Sequence, residues 1–157
     1  MSGAAATLAR WCAIPSHAGD PEGTRRMARE LTAAFAEVGA TALEPVGPGG
    51  EPIVLARSPE RPGRRVLLVG HYDTVPHDGP GRDPAVAVEG DRIAARGAAD
   101  MKGGLVVMLE ALRTLEAGPA PAPAWEALIV PDEELGTPWS RGALAAAARS
   151  ASAALVF

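Results

Sequence analysis

The run Val66-Leu67-Leu68-Val69 does most to restrict what this chain can become. Four consecutive apolar residues present no polar face to water, as expected of a strand in a parallel sheet covered on both sides. Pro52 to Ala56 and Trp125 to Val130 read as further strands, and Ala153 to Phe157 as a last one. Helical patterns lie between and before them. Within Met101 to Ala117, Leu105, Met108, Leu109, Leu112 and Leu115 form one apolar stripe. Ser140 to Arg149 and the short stretch Ala4 to Ala13 also read as helices. Asp20-Pro21-Glu22 opens another, with a capping Asp, a Pro in the first turn and an acid near the positive end of the dipole. Met27, Leu31, Ala34, Phe35 and Val38 carry that helix to Gly39. Ala85 to Glu89 and Arg92 to Ala95 flank Gly90-Asp91 as a hairpin. The expected fold is therefore α/β, a mostly parallel sheet with helices on both faces, in one domain of 157 residues.

Composition narrows the partners. A net charge of -4 argues against nucleic acid, which favours a basic face. No apolar run approaches the length that spans a bilayer, and Met1 to Leu8 lacks the charged and apolar regions of a secretory signal. A single cysteine, Cys12, excludes an internal disulfide and suits a reducing cytoplasm. Its apolar setting reads as core rather than nucleophile. Arginine dominates over lysine, with Lys102 the single exception, as a GC-rich coding sequence would produce.

In open α/β sheets ligands bind beyond the carboxyl ends of the strands, so the residues after each strand matter most. After Gly70 comes His71-Tyr72-Asp73, where an imidazole with a carboxylate two residues on suits a metal ligand and its orienting partner. Before the long helix stands Asp100, within glycines that permit close backbone approach; a lone Asp there would read as a plain helix cap. After Val130 comes Asp132-Glu133-Glu134, three acids that repel one another unless cations compensate. Together these motifs put imidazole and carboxylates on one rim, a ligand mixture that divalent metals accept. Two adjacent glutamates also permit one to bind metal while the other moves protons. His17 and His77, in Pro/Gly/Asp-rich loops, read as solvated; Trp125 and Trp139 read as packing residues. Lys102 and Arg141 read equally as partners of the site's carboxylates or as helix surface.

The motifs in order are Ile14-Pro15-Ser16 with Asp20-Pro21-Glu22-Gly23, then HYDTVP at 71–76, GAADMKGG at 97–104 and PDEELGTPWSR at 131–141. In this order the chain resembles, over essentially its whole length, the dinuclear zinc metallopeptidases and deacylases. That family includes glutamate carboxypeptidase, acetylornithine deacetylase, succinyl-diaminopimelate desuccinylase and aminoacylase. The resemblance implies a zinc-aminopeptidase-like catalytic domain and two divalent metal ions, zinc or alternatively cobalt. It implies His71 as a ligand of one metal, Asp100 as a bridge between both, and Glu134 as a ligand of the other. Glu133 is implied as general base on the shared water, Asp73 as the carboxylate supporting His71, and Asp100–Met101 as a cis peptide. The implied reaction is hydrolysis of an amide bond in a small peptide or an N-acylated amino acid. PDEELGTPWSR looks most like the glutamate carboxypeptidase branch.

The resemblance also sets an expectation about what residues 1–157 represent. Family members carry a further acidic ligand after the next strand, a lid or dimerisation domain and a late histidine ligand. Residues 1–157 then correspond to the N-terminal part of the catalytic domain, and a full-length form would be a homodimer. On this view the isolated chain holds metal weakly and hydrolyses little. The competing expectation is a truncated, non-catalytic fragment or pseudoenzyme.

Overall fold

The structure, a computed structural model, describes residues 3–76 and 85–157. Helices α1 (Gly3–Cys12) and α2 (Pro21–Ala36) come first, followed by strands β1 (Ala40–Pro45), β2 (Pro52–Arg57) and β3 (Arg65–His71). The hairpin β4 (Ala87–Glu89) and β5 (Arg92–Ala94) precedes a π-turn at Ala98–Lys102 and helix α3 (Gly103–Ala117). Strand β6 (Trp125–Val130), a 3-10 turn at Glu133–Leu135, helix α4 (Arg141–Ser150) and strand β7 (Ala151–Val156) complete the order.

Local chemistry accounts for several boundaries. Asp20 caps α2 through its side chain, which accepts the N–H of Gly23 at 2.9 Å, with Pro21 at the first helical position. The stripe of α3 is buried at Leu105, Met108, Leu109 and Leu112. Leu115, expected to belong to it, is instead 37% exposed, and Val106 takes an inward place.

The main sheet has the order β1-β2-β6-β3-β7. β3 pairs in parallel with β6 and β7, whereas β2 runs antiparallel to both β1 and β6. Four strands thus point one way and β2 alone is reversed, so the sheet is mostly parallel as the apolar run at 66–69 predicts. Strand β1 has no counterpart in the sequence reading. Helices cover both faces. Leu31 and Phe35 of α2, Trp11 of α1 and Leu105 and Leu109 of α3 pack with Val54, Leu68 and Ile129 on one side. On the other, Ala147, Ala143 and Leu144 of α4 meet Ile53, Leu67 and Leu128. Cys12 is fully buried. Among the described residues, no helix is long and apolar enough to cross a membrane.

Candidate metal centre

Parallel pairing brings the site together. His71, the last residue of β3, lies opposite Val130, the last of β6, so the two following loops leave the sheet side by side. Ligand atoms of His71, Asp100 and Glu134 all lie within 4.8 Å of one another, although the residues are 29 and 34 positions apart in sequence.

His71 is buried and its ring is held from both ends. Nδ1 faces Asp73 Oδ1 at 3.3 Å and the Asp73 carbonyl at 3.2 Å, while Nε2 lies 3.0 Å from Asp100 Oδ1 and 3.7 Å from Glu133 Oε2. Burial opposes the imidazolium, yet the hydrogen bond to Asp73 and the charges of Asp73, Glu133 and Asp100 outweigh it and raise the pKa to about 9. The negative field that draws a proton to this imidazole would equally draw a metal cation. Glu134 is also shifted upward, first by burial and then by the neighbouring charge of Asp100. An imidazole and two carboxylates at this spacing fit a divalent ion by their donor chemistry.

Asp73 organises more than the histidine. Fully buried, it accepts the backbone N–H groups of Glu133 at 3.2 Å and Glu134 at 2.9 Å. The acids that follow β6 are therefore fixed to the loop that follows β3. The Asp100 side chain stands 77% exposed at the mouth, and that of Glu133 is 54% exposed beside it. Asp100–Met101 is a cis peptide. A cavity of about 240 Å³ adjoins the cluster, with His71, Asp100, Glu133 and Thr137 on its polar side and Leu144 and Val156 among its apolar walls.

Several sequence expectations need correction. The run of three acids is not three of a kind. Asp132 is fully buried and accepts the N–H groups of Trp139 at 2.7 Å and Ser140 at 3.0 Å, as well as the Ser140 hydroxyl. It satisfies donors at the start of α4, where free N–H groups and the helix dipole favour a carboxylate. The one hint in the sequence was the Ser ahead of that helix, too weak to separate Asp132 from its neighbours. Among the described residues Lys102 pairs with no carboxylate, and it is no surface residue: at 1% exposure, its Nζ donates to the Trp11 and Ile14 carbonyls. Arg141 is exposed and its guanidinium donates to the Gly136 carbonyl at 3.5 Å. Two glycines of 97–104 are needed by the chain's own packing. Gly97 has φ +70, and a Cβ on Gly103 would lie 2.4 Å from the Ala98 carbonyl oxygen.

His17 is half-buried, with its backbone bridged to Thr74, and lies outside the metal-ligand cluster. His77 falls outside the described residues. Trp125 is buried, its indole N–H donating to Glu116 at 2.6 Å, and Trp139 is half-buried.

A cluster of metal-ligand type at the carboxyl rim of an α/β sheet defines a class of metal-site fold. Residues 67–156 match the family model described as Peptidase family M20/M25/M40, and the chain belongs to that family. Carboxypeptidase G2 of Pseudomonas sp. (strain RS-16) is 33% identical over 155 residues, covering 96% of this chain and 37% of that protein. Cysteinylglycine-S-conjugate dipeptidase of Corynebacterium striatum is 32% identical over 128 residues, covering 78% of this chain and 28% of that protein. Among solved structures, an M20 family metallo-carboxypeptidase from Sulfolobus solfataricus superposes with a TM-score of 0.84 at 27% identity, covering 99% of this chain and 37% of that one. The chain therefore spans between about a quarter and two fifths of the length of these relatives.

Proposed function

We propose that this chain contributes the core of a metal-dependent site that hydrolyses an amide bond in a small peptide or N-acylated amino acid. The observation that carries the reading is the convergence of His71, Asp100 and Glu134, with Glu133 on the same rim 3.7 Å from His71. His71 and Asp100 would hold one divalent ion, and Asp100 and Glu134 a second, with Asp100 shared. Bound zinc or cobalt supplies Lewis acidity that lowers the pKa of water and polarises the scissile carbonyl.

The remaining work falls to the protein. Asp73 holds Nδ1 of His71, which turns Nε2 toward the mouth and fixes the tautomer a ligand needs. Glu133, half-exposed and next to Glu134, takes the proton of the attacking water and returns it to the leaving nitrogen. The names of the relatives, a carboxypeptidase and a dipeptidase, support a substrate of peptide type.

The share of those relatives that is covered, 28% and 37%, supports reading residues 1–157 as one part of a larger protein, which we assign to the N-terminal part of its catalytic domain. A lid or dimerisation domain and further ligands would then come from outside it. The 157-residue chain alone is accordingly expected to bind zinc weakly and to turn over little substrate. Calorimetric zinc titration of this chain and of His71→Ala and Asp100→Asn variants tests the ligand set. Zinc affinity that neither substitution weakens would remove both residues from it, and strong amidase activity from the chain alone would overturn the division of the site.

A further inference from the structure

Of the 15 lysine and arginine side chains in this protein, arginine supplies all but one. Against 14 arginines stands a single lysine, Lys102, two residues after Asp100. It is also almost completely buried, 1% exposed. Its Nζ donates to the Ile14 carbonyl at 2.8 Å and to the Trp11 carbonyl at 3.1 Å. These carbonyls lie at and just beyond the C-terminal end of α1, where unpaired C=O groups and the negative end of the dipole favour a cation. The stem reaches them by passing close to Gly97, where an added Cβ would lie 3.5 Å from Lys102 Cδ. A compact ammonium on a flexible stem suits that route, whereas a planar five-donor guanidinium does not.

The backbone of the same residue closes the turn that carries Asp100, since Lys102 N–H donates to the Gly97 carbonyl at 2.8 Å. The segment gripped by the ammonium leads directly to Ser16. Ser16 Oγ donates to the Tyr72 carbonyl at 2.7 Å, and the Ser16 carbonyl accepts the Thr74 N–H at 3.2 Å. Residues 11–16 therefore brace two loops at once: the Asp100 turn through Lys102, and the His71–Asp73 segment through Ser16.

We infer that Lys102 is a positioning residue of the metal site, its buried ammonium holding the Asp100 turn in register with His71 by way of the end of α1. This inference rests on the reading of Asp100 as a metal ligand. It assigns Lys102 no contact with substrate or metal.

The test is cobalt(II) binding by the 157-residue chain, followed by visible absorption, in the wild type and in Lys102→Met. At a temperature where circular dichroism shows both folded, Lys102→Met should bind cobalt about tenfold or more weakly, in the range found when groups that orient metal ligands are removed. Its absorption spectrum should also change. A Lys102→Met chain that melts earlier but binds cobalt like the wild type overturns the inference, because packing alone would then explain the residue. Where that variant does not fold, hydrogen exchange in the wild type decides. The Ile14 N–H donates to the same Trp11 carbonyl that Lys102 holds, and should exchange more slowly with saturating cobalt. An unchanged rate overturns the coupling. A wild-type chain that binds no cobalt even weakly, at millimolar metal, overturns the expectation that this chain alone holds metal, and this inference with it.

Discussion

The Asp73 carboxylate accepts the backbone N–H of Glu134 at 2.9 Å, so the residue beside the imidazole also anchors the turn of acids that follows β6. One buried group thereby couples the loops after β3 and β6. Removing it should loosen both.

Asp73→Ala should lower zinc affinity about 10–100-fold, the usual cost of losing a carboxylate behind a metal-bound histidine. It should also destabilise the fold by about 2–3 kcal/mol, because the N–H groups of Glu133 and Glu134 lose a charged acceptor. Zinc calorimetry and urea denaturation measure the two effects separately. Unchanged affinity would mean that His71 is oriented by something else.

Glu133→Gln should separate catalysis from binding. In a form of the protein that turns over substrate, kcat should fall at least about 100-fold, as expected for loss of a general base. Zinc affinity should stay close to the wild-type value. Retained turnover would take Glu133 out of the proton-transfer role.

Asp132→Ala removes the acceptor for Trp139, Ser140 and the Ser140 hydroxyl from a fully buried position. The expected loss is about 2–4 kcal/mol, because buried donors lose a charged partner. If the urea midpoint is unmoved, α4 is anchored by other means.

Acid should weaken a contact far from the site. The Glu116 carboxylate meets Arg61 through two bonds, at 2.8 and 2.5 Å, and accepts the Trp125 indole N–H. The Arg61 bond, with help from Trp125 and against a smaller effect of burial, holds its pKa below the ordinary value of 4.5. A depressed folded-state pKa means that the folded state resists protonation more than the unfolded state does. The stabilisation is therefore complete above the usual carboxylate range and is lost as pH falls through the folded-state value. Comparing the pH dependence of thermal unfolding in wild type and Glu116→Gln isolates this contribution. The variant's melting temperature should lie below the wild type's at neutral pH, and the gap should close in acid.

Strand β7 lies at the margin of the sheet, with Leu155 54% and Val156 77% exposed. An open apolar edge of this sort favours pairing with another chain. Light scattering of the 157-residue chain should show association that grows with concentration. A clean monomer at high concentration would count against it.

Much of this arrangement was legible in the chain because it depends on neighbours in sequence. The Asp20 cap, the stripe of α3 and the apolar run of β3 are local patterns with local causes. So was the suspicion that His71, Asp73, Asp100, Glu133 and Glu134 belong together, since each follows or precedes an element whose end could be read. Other features had no local cause. Periodicity says which faces of a strand are buried but not which neighbour it joins or in which direction, so β1 was missed and the reversal of β2 could not be read. Asp132, Glu133 and Glu134 are chemically alike in sequence. Tertiary structure distinguished them by turning Asp132 inward to α4 and leaving the other two at the mouth. Lys102 read equally as a partner of the site's carboxylates or as helix surface, because the carbonyls that hold it come from residues 91 and 88 positions away. Sequence by itself determined the elements and the inventory of reactive groups. The assignment of each charge to core, brace or mouth came only with packing, because a side chain's burial is set by what the rest of the chain lays over it.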